Sequence, residues 1–159
     1  MIYMKEHKKI KRIITRIAFL VYIIVLLFLV FGADRMEQSD YHYNLVLFSE
    51  IKRFVKYRDV VGYYVFFANV VGNFVVFMPF GFLMPTLTNY KYNVVLISLM
   101  SFEFSLLIEI VQLFTKLGSF DVDDLLLNTL GGFSGYILYR LCRYIYDSYH
   151  KGGSNEEKE

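Results

Sequence analysis

The sequence predicts an all-α, polytopic membrane protein with about four transmembrane helices and an extracytoplasmic amphipathic helix at the interface. Three observations carry this reading. Hydrophobic residues make up 56% of the 159 positions and charged residues only 20%, against about 45–50% and about 25% in soluble domains. Four stretches approach the roughly 20 mostly apolar residues that a helix needs to cross the hydrocarbon core. The basic residues gather mainly at the ends of those stretches. The length fits one domain. High hydrophobicity excludes disorder, and the single Cys142 excludes a disulfide scaffold. One cysteine with His7, His42 and His150 does not make a common zinc site. A net charge of +2 is too small for a nucleic-acid partner.

The first span covers 13–32, behind a basic N-terminus at 1–12. Between Ile17 and Phe31 there is no charge, and Tyr22 alone is weakly polar. The run exceeds the 7–15 apolar residues of a signal peptide and lacks a small-x-small cleavage site after it, so it reads as an uncleaved anchor. Residues Tyr41 to Asp59 are too polar to span. Leu47, Phe48, Ile51, Phe54 and Val55 nevertheless recur at helical spacing, with Lys52, Arg53, Lys56 and Arg58 on the remaining faces. A basic amphipathic helix on the membrane surface fits this pattern, with the four cations against lipid headgroups.

The second span covers about 60–84 and places Gly62, Asn69 and Asn73 on one face. Pro79 has no N–H and is expected to kink or break the helix; Pro85 is expected to end it. The third span covers about 93–114. In it Ser98, Ser101, Ser105, Glu109 and Gln112 are spaced by 3, 4, 4 and 3 residues, which keeps them within roughly 80° of arc. Glu103 falls on the opposite face. A carboxylate at the helix centre costs about 2.5–3.5 kcal/mol on insertion scales, so the stripe is expected to face protein or water.

The loop that follows ends in Asp121, Asp123 and Asp124, and either of the last two suits the cap of the next helix. The fourth span covers about 125–146. Asp124, Asn128, Gly131 and Gly135 share a face, and Gly131 and Gly135 form a G-x-x-x-G pair that permits close helix packing. Residues 149–159 form a polar tail, unordered from Gly152 on.

The positive-inside rule sets the orientation. Lys5, Lys8, Lys9, Lys11, Arg12, Arg16, Lys91, Arg140, Arg143 and Lys151 fall on one side, and Arg35, Lys52, Arg53, Lys56, Arg58 and Lys116 on the other. Ten against six places both termini in the cytoplasm of a multi-pass cell-membrane protein. Glu109, Gln112, Asp121, Asp123, Asp124, Asn128, Asn69 and Asn73 then share the outer half, where they are expected to form an outward-facing polar ligand pocket. Carboxylates with amides are hard oxygen ligands, so Glu109, Asp121 and Asp124 are also candidates for Mg²⁺ or Ca²⁺. A network that only fixes helix register is the third alternative. No nucleophile with an adjacent base and no phosphate-cradling loop is visible.

Several segments together resemble the VanZ-like family, named after a teicoplanin-resistance protein. They are Asn44–Ile51; Asn69–Gly81, with Pro85 after it; Ile108–Gln112; and Gly118–Gly132. The resemblance extends over about residues 43–140. Leu47 stands where members often have Pro, and Ser119 where some carry Arg. The resemblance implies a bacterial polytopic membrane protein with a link to glycopeptide antibiotics, and it marks Asn73, Glu109, Gln112, Asp121, Asp124 and Asn128. The function expected is binding of membrane lipid together with an envelope component or lipoglycopeptide. The alternatives are a metal-dependent enzyme acting on a lipid-linked envelope precursor, and a structural partner protein.

Overall fold

A computed structural model describes residues 2–32, 40–87 and 92–156. Helix α1 (Ile2–Phe31) leads to a two-residue strand β1 (Tyr43–Asn44) and helix α2 (Ser49–Val61). A short helix α3 (Tyr63–Phe66) and a π-helical turn (Phe67–Val71) open into α4 (Gly72–Leu87). Helix α5 (Val94–Thr115), strand β2 (Phe120–Asp121) and helix α6 (Val122–Glu156) complete the chain. β1 and β2 pair in parallel, Tyr43 with Phe120 and Asn44 with Asp121. The residues that follow α1 and those that follow α5 therefore meet at one end of the bundle.

Among the described residues, three helical stretches are long and apolar enough to cross a membrane: Arg12–Phe31, Phe67–Leu87 and Val94–Thr115. α6 is a single helix and is not among them. The apolar stretch that answers to the second expected span starts at Phe67 rather than at residue 60. Val60 and Val61 belong to α2, and Gly62 is a break between helices rather than part of a polar stripe. Gly62 has φ +92°, and its N–H donates to the Arg58 carbonyl at 2.9 Å. α4 also runs through Pro79 and ends two residues beyond Pro85. The carbonyl that Pro79 leaves without its usual donor is that of Val75; at the next residue the Tyr22 hydroxyl of α1 donates to the Val76 carbonyl at 3.0 Å. α6 continues to Glu156 through the tail expected to be unordered; no proline interrupts its hydrogen-bond ladder.

The core is aromatic on one side and glycine-based on the other. Leu26 of α1, Phe77 of α4 and Ile108 of α5 are buried together. Phe80 stacks on Phe104 with centroids 5.3 Å apart, and Phe19 of α1 reaches Phe80 at 6.1 Å. α6 approaches α4 at backbone distance. A Cβ at Gly81 would overlap the Gly132 carbonyl, and one at Gly135 would overlap the Met78 carbonyl. The G-x-x-x-G pair thus packs against α4, as its spacing implied. At the far end, the Tyr136 hydroxyl donates to the Tyr92 carbonyl at 2.8 Å.

Adding a methyl where backbones already touch forces the helices apart, at about 1–3 kcal/mol for overpacking. Gly81→Ala is expected to lower the thermal unfolding midpoint in detergent, whereas Gly72→Ala, whose nearest atom would be 3.9 Å away, is expected to leave it unchanged or raise it.

Candidate functional site

The predicted stripe on α5 faces inward. Ser101, Ser105, Glu109 and Gln112 are buried, and Ser98 is half-buried. Glu109 is 2% exposed, and its Oε2 accepts the Asp121 N–H at 2.9 Å. The stripe therefore anchors the acidic loop. Asp121 Oδ1 accepts the Asp123 N–H at 2.8 Å and the Asn44 Nδ2 at 3.0 Å. Asn44 Oδ1 in turn accepts the Val46 N–H at 3.0 Å, a local side-chain turn. The Phe120 N–H donates to the His42 carbonyl at 3.1 Å.

Asp123 performs a different task. Phe48, in the left-handed region at φ 65°, turns the chain into α2 but supplies no cap of its own. The first N–H groups of a helix lack intrahelical acceptors. Here the Asp123 carboxylate serves them from the start of α6. One oxygen accepts the Phe48 N–H, and the other accepts Glu50 N–H at 2.9 Å and Ile51 N–H at 3.1 Å. A negative charge at this end also suits the helix dipole. This acid is expected to cap the helix that follows it; instead it lies within the first turn of α6 and caps α2.

A cleft of about 130 Å³ lies beside this joint. Glu50, Arg53 and Phe54 of α2, Asn69 of the π turn, Ser119 of the loop, and Asp124 and Leu127 of α6 line it. Asp121 and Asp123 reach its wall. Asn73 Nδ2 donates to Asp124 Oδ1 and so fixes one side. π-helical turns often mark functional positions, and this one presents Asn69 to the cleft. Of the expected ligand residues, Asn69, Asp121, Asp123 and Asp124 meet at the cleft, with Asn73 joined through Asp124. Glu109 lies below it as a support.

Gln112 and Asn128 do not reach the cleft. Both are buried, and Asn128 donates to Ser105 Oγ at 2.8 Å while its Oδ1 has no hydrogen-bond partner among the described residues. The acids diverge toward separate donors, and among the described residues no group of three or more His, Cys, Asp or Glu is arranged to hold a metal ion. Lys52, Lys56 and Arg58 stand exposed on α2. Arg53 lines the cleft and pairs with Glu50 at 2.5 Å.

Asn44 and Glu50 were not expected at the site. Asn44 carries the signal of an Asx turn, a short amide ahead of an apolar run. Glu50 gives none, because its place depends on the trans-acting cap. Burial pushes the Asp121 carboxyl above the ordinary range, against the opposing hydrogen bonds from Asp123 and Asn44. Burial also raises Glu50; Arg53 opposes the rise, while Asp121 and Asp123 add to it.

Two outcomes follow for the joint. Asp123→Ala is expected to cost about 0.5–2 kcal/mol, the usual worth of a cap, seen as faster amide exchange over 49–61; Asp123→Asn is expected to recover part of that protection. Carboxyls raised on folding bind protons more readily in the folded state, so stability falls as pH rises through their folded values. Acidification from neutral toward the carboxylate range is therefore expected to make these two groups less destabilising, and Asp121→Asn to flatten that part of the pH profile of thermal unfolding.

Compared with known families, residues 17–143 match the VanZ/LLP1 family model. No curated protein and no solved structure matches the chain.

Proposed function

The chain belongs to the VanZ/LLP1 family, and on that premise we propose that its cleft receives one polar group of an envelope component or lipoglycopeptide at the outer face of the membrane. The observation that carries this reading is the placement of the cleft. It opens where a basic helix, an acid-rich loop and a π turn meet, at the end of apolar helices. Its size admits a single ring or headgroup; pockets for whole drug-sized ligands are about 300–1,000 Å³. Bound there, the protein lowers access of teicoplanin-type drugs to their targets.

The membrane setting extends the same reading. α6 supplies a fourth crossing: Leu130, Phe133, Ile137 and Leu141 are exposed along it and suit lipid, while Asn128 and the glycines face the bundle. Both termini then lie in the cytoplasm and the cleft outside. α2 rests on the surface, with Lys52, Lys56 and Arg58 toward anionic headgroups. The membrane anchors the protein and also presents the ligand, which reaches the cleft laterally.

Deleting the gene is expected to raise teicoplanin susceptibility. Asn69→Ala and Asp124→Asn, introduced on the complementing copy, are expected to reproduce that loss at unchanged protein level. Susceptibility unaffected by deletion would remove the resistance role.

A further inference from the structure

The loop that leads into α2 is apolar and stands clear of the protein. Leu45, Val46, Leu47 and Phe48 are consecutive, and they are exposed by 64%, 67%, 48% and 44%. The loop is nevertheless fixed. It leaves β1, which is paired with β2. Asn44 Oδ1 accepts the Val46 N–H at 3.0 Å, and the Val46 carbonyl accepts the Ser49 N–H at 3.2 Å. Asp123 accepts the Phe48 N–H, and the Phe48 carbonyl accepts the Lys52 N–H at 3.0 Å. Phe48 holds φ 65°, a left-handed backbone that a bulky side chain rarely adopts. The apolar residues of α2 do not explain the loop, because Ile51 and Phe54 are half-buried and turn toward the cleft.

We propose that the Leu45–Phe48 tip inserts into the acyl region of the leaflet on the cleft side of the membrane and so holds the cleft at headgroup level. β1 pairs with the residues that follow α5, so the tip stands at the end of an apolar span whose last turn still exposes Phe114. Backbone groups that enter hydrocarbon must be met within the protein. Val46 and Phe48 each have both their N–H and their carbonyl met in this way. Cations flank the tip: Lys52, Lys56 and Arg58 are exposed on α2, and the Lys116 ammonium lies 5.0 Å from the Tyr41 ring centroid. Tyr41 and Tyr43 are exposed just before the tip. Tyrosines at the headgroups and basic residues around an apolar insert are the composition of an interfacial anchor. A protein partner ordinarily finds about one hydrogen bond per 100–200 Å² of contact, and the tip carries no polar side chain to supply one. The insertion requires the membrane but not the ligand proposed for the cleft.

Spin labels on the full chain test this in vesicles of phosphatidylglycerol and phosphatidylethanolamine, with Cys142→Ser removing the native thiol. Leu45→Cys and Val46→Cys carry the label at the tip; neither side chain takes part in the bonds that fix the loop. Ser119→Cys, exposed at the cleft, is the reference. Molecular oxygen concentrates among acyl chains, and a nickel chelate stays in water. Oxygen is expected to enhance relaxation several-fold more than the chelate at residues 45 and 46, and the order is expected to reverse at residue 119. Relaxation dominated by the chelate at either tip position would put the loop in water and overturn the proposal. Weak relaxation by both reagents would mean that a second copy or another protein covers the tip, and would overturn it equally.

Discussion

The cleft depends on one carboxylate. Asp123 gathers three backbone N–H groups at the start of α2 and so fastens an amphipathic helix to the first turn of α6. Bonds from backbone amides to a charged acceptor are the stronger kind. Without this joint α2 has no side-chain cap and few ties to the bundle. Glu50, Arg53 and Phe54 would lose their position opposite Asp124 and Asn69. The other acids support that joint in sequence: Glu109 holds the Asp121 N–H, Asp121 holds the Asp123 N–H, and Asn44 ties β1 to Asp121.

The precision of this chain of contacts rests on how closely the helices approach. Gly81 and Gly132 bring α4 and α6 to backbone contact, which sets Asn73 against Asp124 at the site end. On the other side Leu26 of α1 and Phe104 of α5 pack against Phe77 and Phe80 of α4. Buried acids are tolerated here because each is met by a backbone or amide donor. Burial still leaves its mark, since Asp121 and Glu50 sit above their ordinary range despite those donors.

Periodic features were legible in the sequence. The five-residue stripe on α5 turns inward, Glu103 turns out, and the Gly131–Gly135 pair packs, because a 3.6-residue period assigns faces without knowledge of neighbours. Features set by tertiary contact were not legible. Pro79 reads as a breaker, yet α4 passes through it with Tyr22 bonded one turn earlier. Gly62 reads as part of a stripe, yet it separates two helices. Asp121, Asp123 and Asp124 read as ligand acids, and a cap acting between distant elements accounts for much of their clustering. Gln112 and Asn128 lie on the right faces but too deep for the cleft, since a face gives direction around an axis and not depth beneath a surface.

The central claim is that this joint and its cleft face outward. Ser119 is exposed at the cleft, so a single cysteine there, in a Cys142→Ser background, reports its side directly. Intact cells treated with a membrane-impermeant maleimide are predicted to label Ser119→Cys fully before permeabilisation. Labelling that appears only after permeabilisation would place the acids in the cytoplasm and contradict the account.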